Sequence, residues 1–211
     1  MADRLQFTVA SNNFIHPSQL GGLKFKSTTG TDITLTHIVW LGWVKGKSTS
    51  SLVFDISQFF PSLNYNLLVC ILGKAGFDPK VLTFFANYLV KRRTSYMWNN
   101  FSFPMFDVNI GVGQGSTLSP FLYILEKRFE NLKIPVSILS FVDNGLIIAQ
   151  NKSFDISNSQ LFCSYNILSK LLTSFGLVIK HSKTEIFHFS RSQGLFNLPP
   201  LDLSPLGGPI L

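Results

Sequence analysis

Apolar positions recur along this chain with two periods, and the switching between them predicts a mixed order of strands and helices. Ile33 to Val44 is apolar, β-branched and aromatic, a run either period accommodates and which we assign to a helix. Ser51 to Ile56, SLVFDI, is a short buried-strand pattern that closes on a carboxylate, Asp55. Asn64 to Ala75 carries a helical apolar face stopped by Gly76, and Asp78-Pro79 supplies a capping side chain and an N-terminal proline for a second helix reaching Arg93. Lys91, Arg92 and Arg93 would then lie in its last turn, complementing the partial negative charge there. Two successive helices of this kind predict a packed pair.

Thr94 to Val108 alternates weakly around Asn99-Asn100, which fits a β-hairpin, and the GVGQG stretch at 111–115 reads as a loop. Ser119-Pro120 opens a further apolar-faced helix through Asn131. Between Ser137 and Gln150 two short apolar runs are joined by Asp143-Asn144-Gly145, and Asn-Gly in that position is a strong hairpin signal. Asn158 to Phe175 places Leu161, Tyr165, Leu168 and Leu172 on one helical stripe ended by Gly176, and Glu185 to Ser190 returns to strand-like alternation. From Gln193 onward proline and glycine dominate, so the tail is expected to be irregular, and no internal repeat is visible.

Composition narrows the picture. Charged residues are 14% of the 211, against roughly 25% in an ordinary globular protein, and 45% are apolar, with 21 phenylalanines. Such a chain can bury a core, which excludes disorder for its bulk. The net charge of +7 points to an anionic partner and leaves nucleic acid, nucleotide and lipid headgroup open. No apolar run approaches the roughly 18 residues of a membrane span, because Lys74, Lys91, Glu126 and Asp143 interrupt the richest stretches. The opening MADRLQFTVA has no continuous apolar segment of a secretory signal, so the expected location is intracellular, cytoplasm or nucleus. Cys70 and Cys163 stand alone in apolar segments and are expected to be buried free thiols.

The chemistry to account for is a pair of aspartates 88 residues apart: Asp55 ending a buried strand and Asp143 at a hairpin tip, with a glycine-rich loop between them. A carboxylate leaving an apolar strand needs a cation, a Lys or Arg partner, or helix N-terminal N–H groups, and hard oxygens of this type suit Mg²⁺. Spacing alone does not choose between these.

Four motifs do. VFDISQFFPSL at 53–63, GVGQGSTLSP at 111–120, SFVDN at 140–144 and SKTE at 182–185 stand in that order, and over about residues 13–190 the chain resembles reverse transcriptases of non-LTR (LINE-like) retrotransposons. The resemblance implies an α+β fold, the right-hand polymerase palm: a small antiparallel sheet backed by helices. It implies part of the fingers in 1–50, palm in 51–190, an irregular tail in 191–211 and no thumb. The implied activity is RNA-directed DNA synthesis, with an RNA template, a DNA primer and deoxynucleoside triphosphates as partners. Asp55 and Asp143 would hold two Mg²⁺ ions, with the Ile56 carbonyl completing the site. Phe60 falls at the family's steric gate under the incoming sugar, or else is a core aromatic. Gln114 and Gly115 match the loop lying against nucleotide and template, or are ordinary loop residues. Lys24, or Lys26, would meet the triphosphate, and Lys183 would protonate departing pyrophosphate; for each the other reading is a solvated lysine.

The departures are specific too. The hairpin of the family reads F-x-D-D, whereas here the second carboxylate is Asn144, and the chain ends about where the family's primer grip would begin. The expectation is a truncated, degenerate copy whose polymerase chemistry is silent, the alternative being a nucleic-acid-binding remnant with no enzymatic role.

Overall fold

The structure, a computed structural model, describes residues 18, 20–21, 26–74, 76–108, 110–111, 136–141 and 143–191. Their elements in chain order are α1 (Thr28–Val44), β1 (Ser48–Ser57), the single turn α2 (Phe59–Ser62), α3 (Tyr65–Lys74), α4 (Pro79–Leu89), β2 (Arg92–Thr94), β3 (Met97–Trp98), β4 (Phe101–Ser102), β5 (Phe106–Val108), β6 (Ser137–Phe141), β7 (Asn144–Asn151), α5 (Phe154–Ser174), β8 (Val178–Ile179) and β9 (Glu185–Phe189). The ambiguous run before Val44 is helical, started by the Ser27 side chain, which accepts from the Gly30 N–H.

β1 lies in the middle of a five-stranded antiparallel sheet. Along one edge it pairs with β7 from Ser48↔Asn151 to Asp55↔Asn144, and β6 extends the sheet beyond β7. Along the other edge β9 pairs over Thr49 to Val53, while β8 pairs with Ile56 and Ser57. Successive strand side chains point to opposite faces, so the register sorts the sheet into two surfaces. Leu52, Phe54, Ile147 and Ala149 face a core completed by Leu161, Tyr165, Leu168 and Leu172 of α5 and by Leu72, Phe85 and Leu89 of α3 and α4. Each fully buried aliphatic side chain there contributes about 1.5–3 kcal/mol, and the stripe read from the sequence is what α5 buries. On the other face Leu139, Leu146 and Ile148 meet Val53 and, from α1, Leu35 and Ile38.

Several expectations need correction. α4 stops at Leu89, so Lys91, Arg92 and Arg93 are not in a helical turn: Val90 is extended, Lys91 has φ +53°, and Arg92 and Arg93 lie in β2, paired with β5. The Arg92 guanidinium instead donates to the carbonyls of Leu89, Ile110 and Gly111, tying the helix end to the start of the glycine-rich loop. Cys70 and Cys163 are free but exposed, because each sits on the outward side of its helix. The Asn99-Asn100 hairpin is present, with φ of +43° and +66° at the two asparagines. The second hairpin also forms, but Phe141 already pairs with Asn144, so Asn144 and Gly145 begin β7 and do not make its turn. Gly145 is required for a different reason: it faces Phe54 across the strands, and a Cβ there would overlap the Phe54 ring. The helix expected at 119–131 and the tail beyond Arg191 lie outside the described residues.

Two measurements test this packing. Gly145→Ala should cost about 1–3 kcal/mol by overpacking, and clearly less in a Phe54→Leu background; equal costs in urea denaturation would separate the two residues. The second concerns His188 of β9, whose Nδ1 lies 2.8 Å from the buried Ser50 hydroxyl and whose ring meets Phe154 edge-on. Burial holds His188 below the ordinary histidine value of 6.5, so the unfolded chain takes up the proton more readily than the native one. Stability is therefore undiminished above that value and is lost as pH falls below it. His188→Gln should flatten the decline of the urea midpoint between about pH 7 and pH 5; an unchanged slope would assign the decline to other groups.

Candidate functional site

β1 carries its apolar alternation as far as Val53 on the α1 face, and the next side chain on that face is Asp55. It stands at the rim of the apolar surface, 16% exposed. Its cross-strand partner is Asn144, and the Ile56 N–H donates to the Asp143 carbonyl at 2.9 Å. The hairpin therefore delivers Asp143 and Asn144 to the end of β1 that bears Asp55. The exposed Asn144 amide lies 3.4 Å from Asp143 Oδ1, a weak donor contact to that carboxylate.

The opposite edge of β1 brings a cation to the same place. Between β8 and β9 the ladder is interrupted by a 3₁₀ turn, His181–Lys183, while the Lys180 N–H donates to the Asp55 carbonyl at 2.8 Å. The turn closes through Lys183 N–H to Lys180 O and Thr184 N–H to His181 O, both 3.0 Å. It is pinned from behind by the Tyr165 hydroxyl, 2.8 Å from His181 Nδ1. Burial pushes the Tyr165 phenol up, opposed by a hydrogen bond with Thr184. From this turn Lys183 Nζ reaches Asp55 Oδ2 at 2.9 Å. The Asp55 carboxylate, first by hydrogen bonding and then by its charge, holds the lysine above its ordinary value, and Asp143 adds to the effect. Both aspartates thus act on one ammonium.

Asp55, Ile56, Asp143 and Lys183 are brought together. Phe60, in α2 directly after β1, is 9% exposed, belongs to the main core and meets the Phe59 ring edge-on at 5.4 Å. Gly111, φ +77°, donates its N–H to Leu63 O and passes so close to Pro61 that a Cβ would collide with its backbone; the glycine-rich loop starts against α2. Gln114, Gly115 and Lys24 lie outside the described residues, and Lys26 is exposed ahead of α1. Among the described residues no cluster of three or more His, Cys, Asp or Glu could hold a metal, and no helix is long and apolar enough to cross a membrane.

A family model described as reverse transcriptase (RNA-dependent DNA polymerase) matches residues 1–202. The chain belongs to the reverse transcriptase family. Its fold is that of solved telomerases. One from Candida tropicalis, in complex with a TWJ fragment of telomeric RNA, aligns with TM-score 0.64 and 17% identity over 89% of this chain and 32% of that one. The apo telomerase from Candida tropicalis gives 0.63 and 15% over 87% and 35%, and the Candida albicans enzyme with its RNA fragment gives 0.54 and 14% over 88% and 34%. The chain therefore spans about a third of the length of these structures. No curated protein matches the sequence.

In this reverse transcriptase domain the supports of Lys183 escaped the sequence reading, which placed Tyr165 in a core stripe and gave His181 no part. The signal was available: a tyrosine in the middle of an apolar helical stripe needs a partner for its hydroxyl, and a histidine stands two residues before the lysine. Tyr165→Phe should cost about 1 kcal/mol. If the turn positions Lys183, Lys183→Met should be less destabilising in that background than in the parent. Additivity in the double-mutant cycle would uncouple the two.

Proposed function

We propose that this chain is the palm region of an RNA-directed DNA polymerase of a non-LTR retroelement, with its nucleotidyl-transfer chemistry silenced at the carboxylate hairpin. The observation that carries the reading is the convergence of Asp55 and Asp143 at one end of the sheet, through the Asp55↔Asn144 register and the bond from Ile56 N–H to Asp143 O. Two of the telomerase structures that share the fold are complexes with a fragment of telomeric RNA, and a chain of net charge +7 has the sign such a partner needs. A primer-template hybrid and deoxynucleoside triphosphates are the partners in this reading, which places the protein inside the cell.

Reverse transcriptase domains use divalent metal ions. The donors present, the carboxylates of Asp55 and Asp143 and the Ile56 carbonyl, are hard oxygens of the kind that bind Mg²⁺. When bound there, Mg²⁺ would activate the primer 3′-hydroxyl and compensate charge on the triphosphate. Asp55 is held by the strand and shielded to 16% exposure, so it can orient a cation; Asp143 at the turn supplies the second charge. Asn144 offers an amide oxygen without charge, leaving two carboxylates for a task that places two dications side by side. Lys183, in the proton-donor position implied by the resemblance, is engaged with Asp55. Phe60 lies in the core, and a role as sugar gate finds no support in its packing.

The test combines binding with chemistry. A labelled DNA primer annealed to RNA should bind the full chain with an affinity that falls steeply as salt rises, and the primer should not be extended with Mg²⁺ and deoxynucleoside triphosphates. Extension that disappears in Asp55→Asn would show that Asn144 is a competent ligand and the chemistry is not silent. Absence of salt-dependent binding would remove nucleic acid as the partner.

A further inference from the structure

We propose that Lys183 is the resident cation of the Asp55–Asp143 pair, occupying Asp55 in competition with a divalent ion. The inference deepens the proposed metal site and rests on that reading. Three observations carry it. The first is position: Nζ lies 2.9 Å from Asp55 Oδ2 and takes up the approach to that oxygen which a directly bound cation would need. The second is construction. Lys183 does not arrive from a loose loop; its turn is clamped to the Asp55 carbonyl through Lys180 N–H, closed by its own N–H to Lys180 O, and braced by the contact between Tyr165 and His181. The carboxylate is 16% exposed and the lysine side chain 58%, so the anion is fixed while the ammonium approaches from the solvent side, the side from which a hydrated metal ion would also come.

The third is charge. Asp55 and Asp143 bring two negative charges, and Asn144 adds none where the family's hairpin carries another carboxylate. With Lys183 in place one charge remains, too little to draw a strongly hydrated dication from water. A second carboxylate at position 144 would leave two charges beside the lysine; its loss is what allows a single ammonium to serve as the main counter-ion. Metal binding through Asp55 Oδ2 therefore requires the Lys183 head to leave that oxygen, and the measured affinity is the intrinsic affinity reduced by that displacement. A lysine serving only as proton donor to pyrophosphate predicts the opposite insensitivity: removing it would leave metal affinity unchanged.

The experiment titrates Mn²⁺ into the full chain without nucleic acid, following free Mn²⁺ by electron paramagnetic resonance, with Mg²⁺ as competitor. Lys183→Met and Lys183→Gln should bind Mn²⁺ about three- to tenfold more tightly than the parent, the range expected for releasing a partly shielded ion pair. Lys183→Arg, which keeps the charge, should stay close to the parent. Adding Asp55→Asn to Lys183→Met should abolish the gain, locating the ion. Equal or weaker binding by both neutral variants, including no binding by any protein, would overturn the proposal, as would a gain that survives Asp55→Asn. The urea midpoints of the two neutral variants establish that each is folded. The polymerase reading is judged separately by hybrid binding, so its failure and that of the resident-cation proposal are distinguishable.

Discussion

The register between β1 and β7 is the constraint on which everything else here depends. Because strand side chains alternate between faces, setting Asp55 opposite Asn144 simultaneously puts Leu52 and Phe54 with Ile147 and Ala149 against the helices, and Val53 with Leu146 beneath α1. A slip of one residue would turn the core outward and carry Asp55 into it. The apolar alternation that stabilises the sheet therefore also positions the carboxylates. Gly145 is part of the same arrangement, since its missing side chain is the space the Phe54 ring uses.

The second edge of β1 works by interruption. A continuous strand from Val178 to Phe189 would leave Asp55 flanked by an ordinary ladder; splitting it into β8 and β9 frees room for the 3₁₀ turn and turns Lys183 back toward the carboxylate. The turn has little burial of its own, and the hydrogen bond from Lys180 N–H to the Asp55 carbonyl and the hydrogen bond between Tyr165 and His181 hold it in place. A rigid sheet thus presents a fixed anion, and a short, separately braced turn presents the cation.

The balance of charge at this end of the sheet is set by three side chains and one absence. The backbone pairing brings Asp55 and Asp143 to the same end of the sheet, Asn144 adds no charge beside them, and Lys183 pairs with Asp55. Removing a carboxylate from such a cluster weakens its hold on dications and at the same time makes a lone ammonium a sufficient counter-ion. The two features belong together physically.

Much was legible from sequence because it depends on local chemistry. The strand bearing Asp55, the capped helix at Pro79, the long helix stopped by Gly176 and the asparagine turn at Asn99-Asn100 all follow from period, caps and turn residues, and the order of four short motifs led to the family that residues 1–202 match. What the sequence could not decide was set by contacts between distant segments. Asn144-Gly145 has the composition of a turn, yet pairing with β1 and β6 draws both into β7; the basic run at 91–93 suits a helix end, yet pairing with β5 and the bonds from Arg92 to the carbonyls of Ile110 and Gly111 hold Arg92 and Arg93 in a strand. Lys183 reads as a solvated or catalytic lysine until the sheet brings it to an aspartate 128 residues earlier in the chain. Local propensities are differences of about 1 kcal/mol or less per residue, whereas a ladder of strand bonds or a buried aromatic contact sums to several, so wherever the two compete the tertiary structure decides.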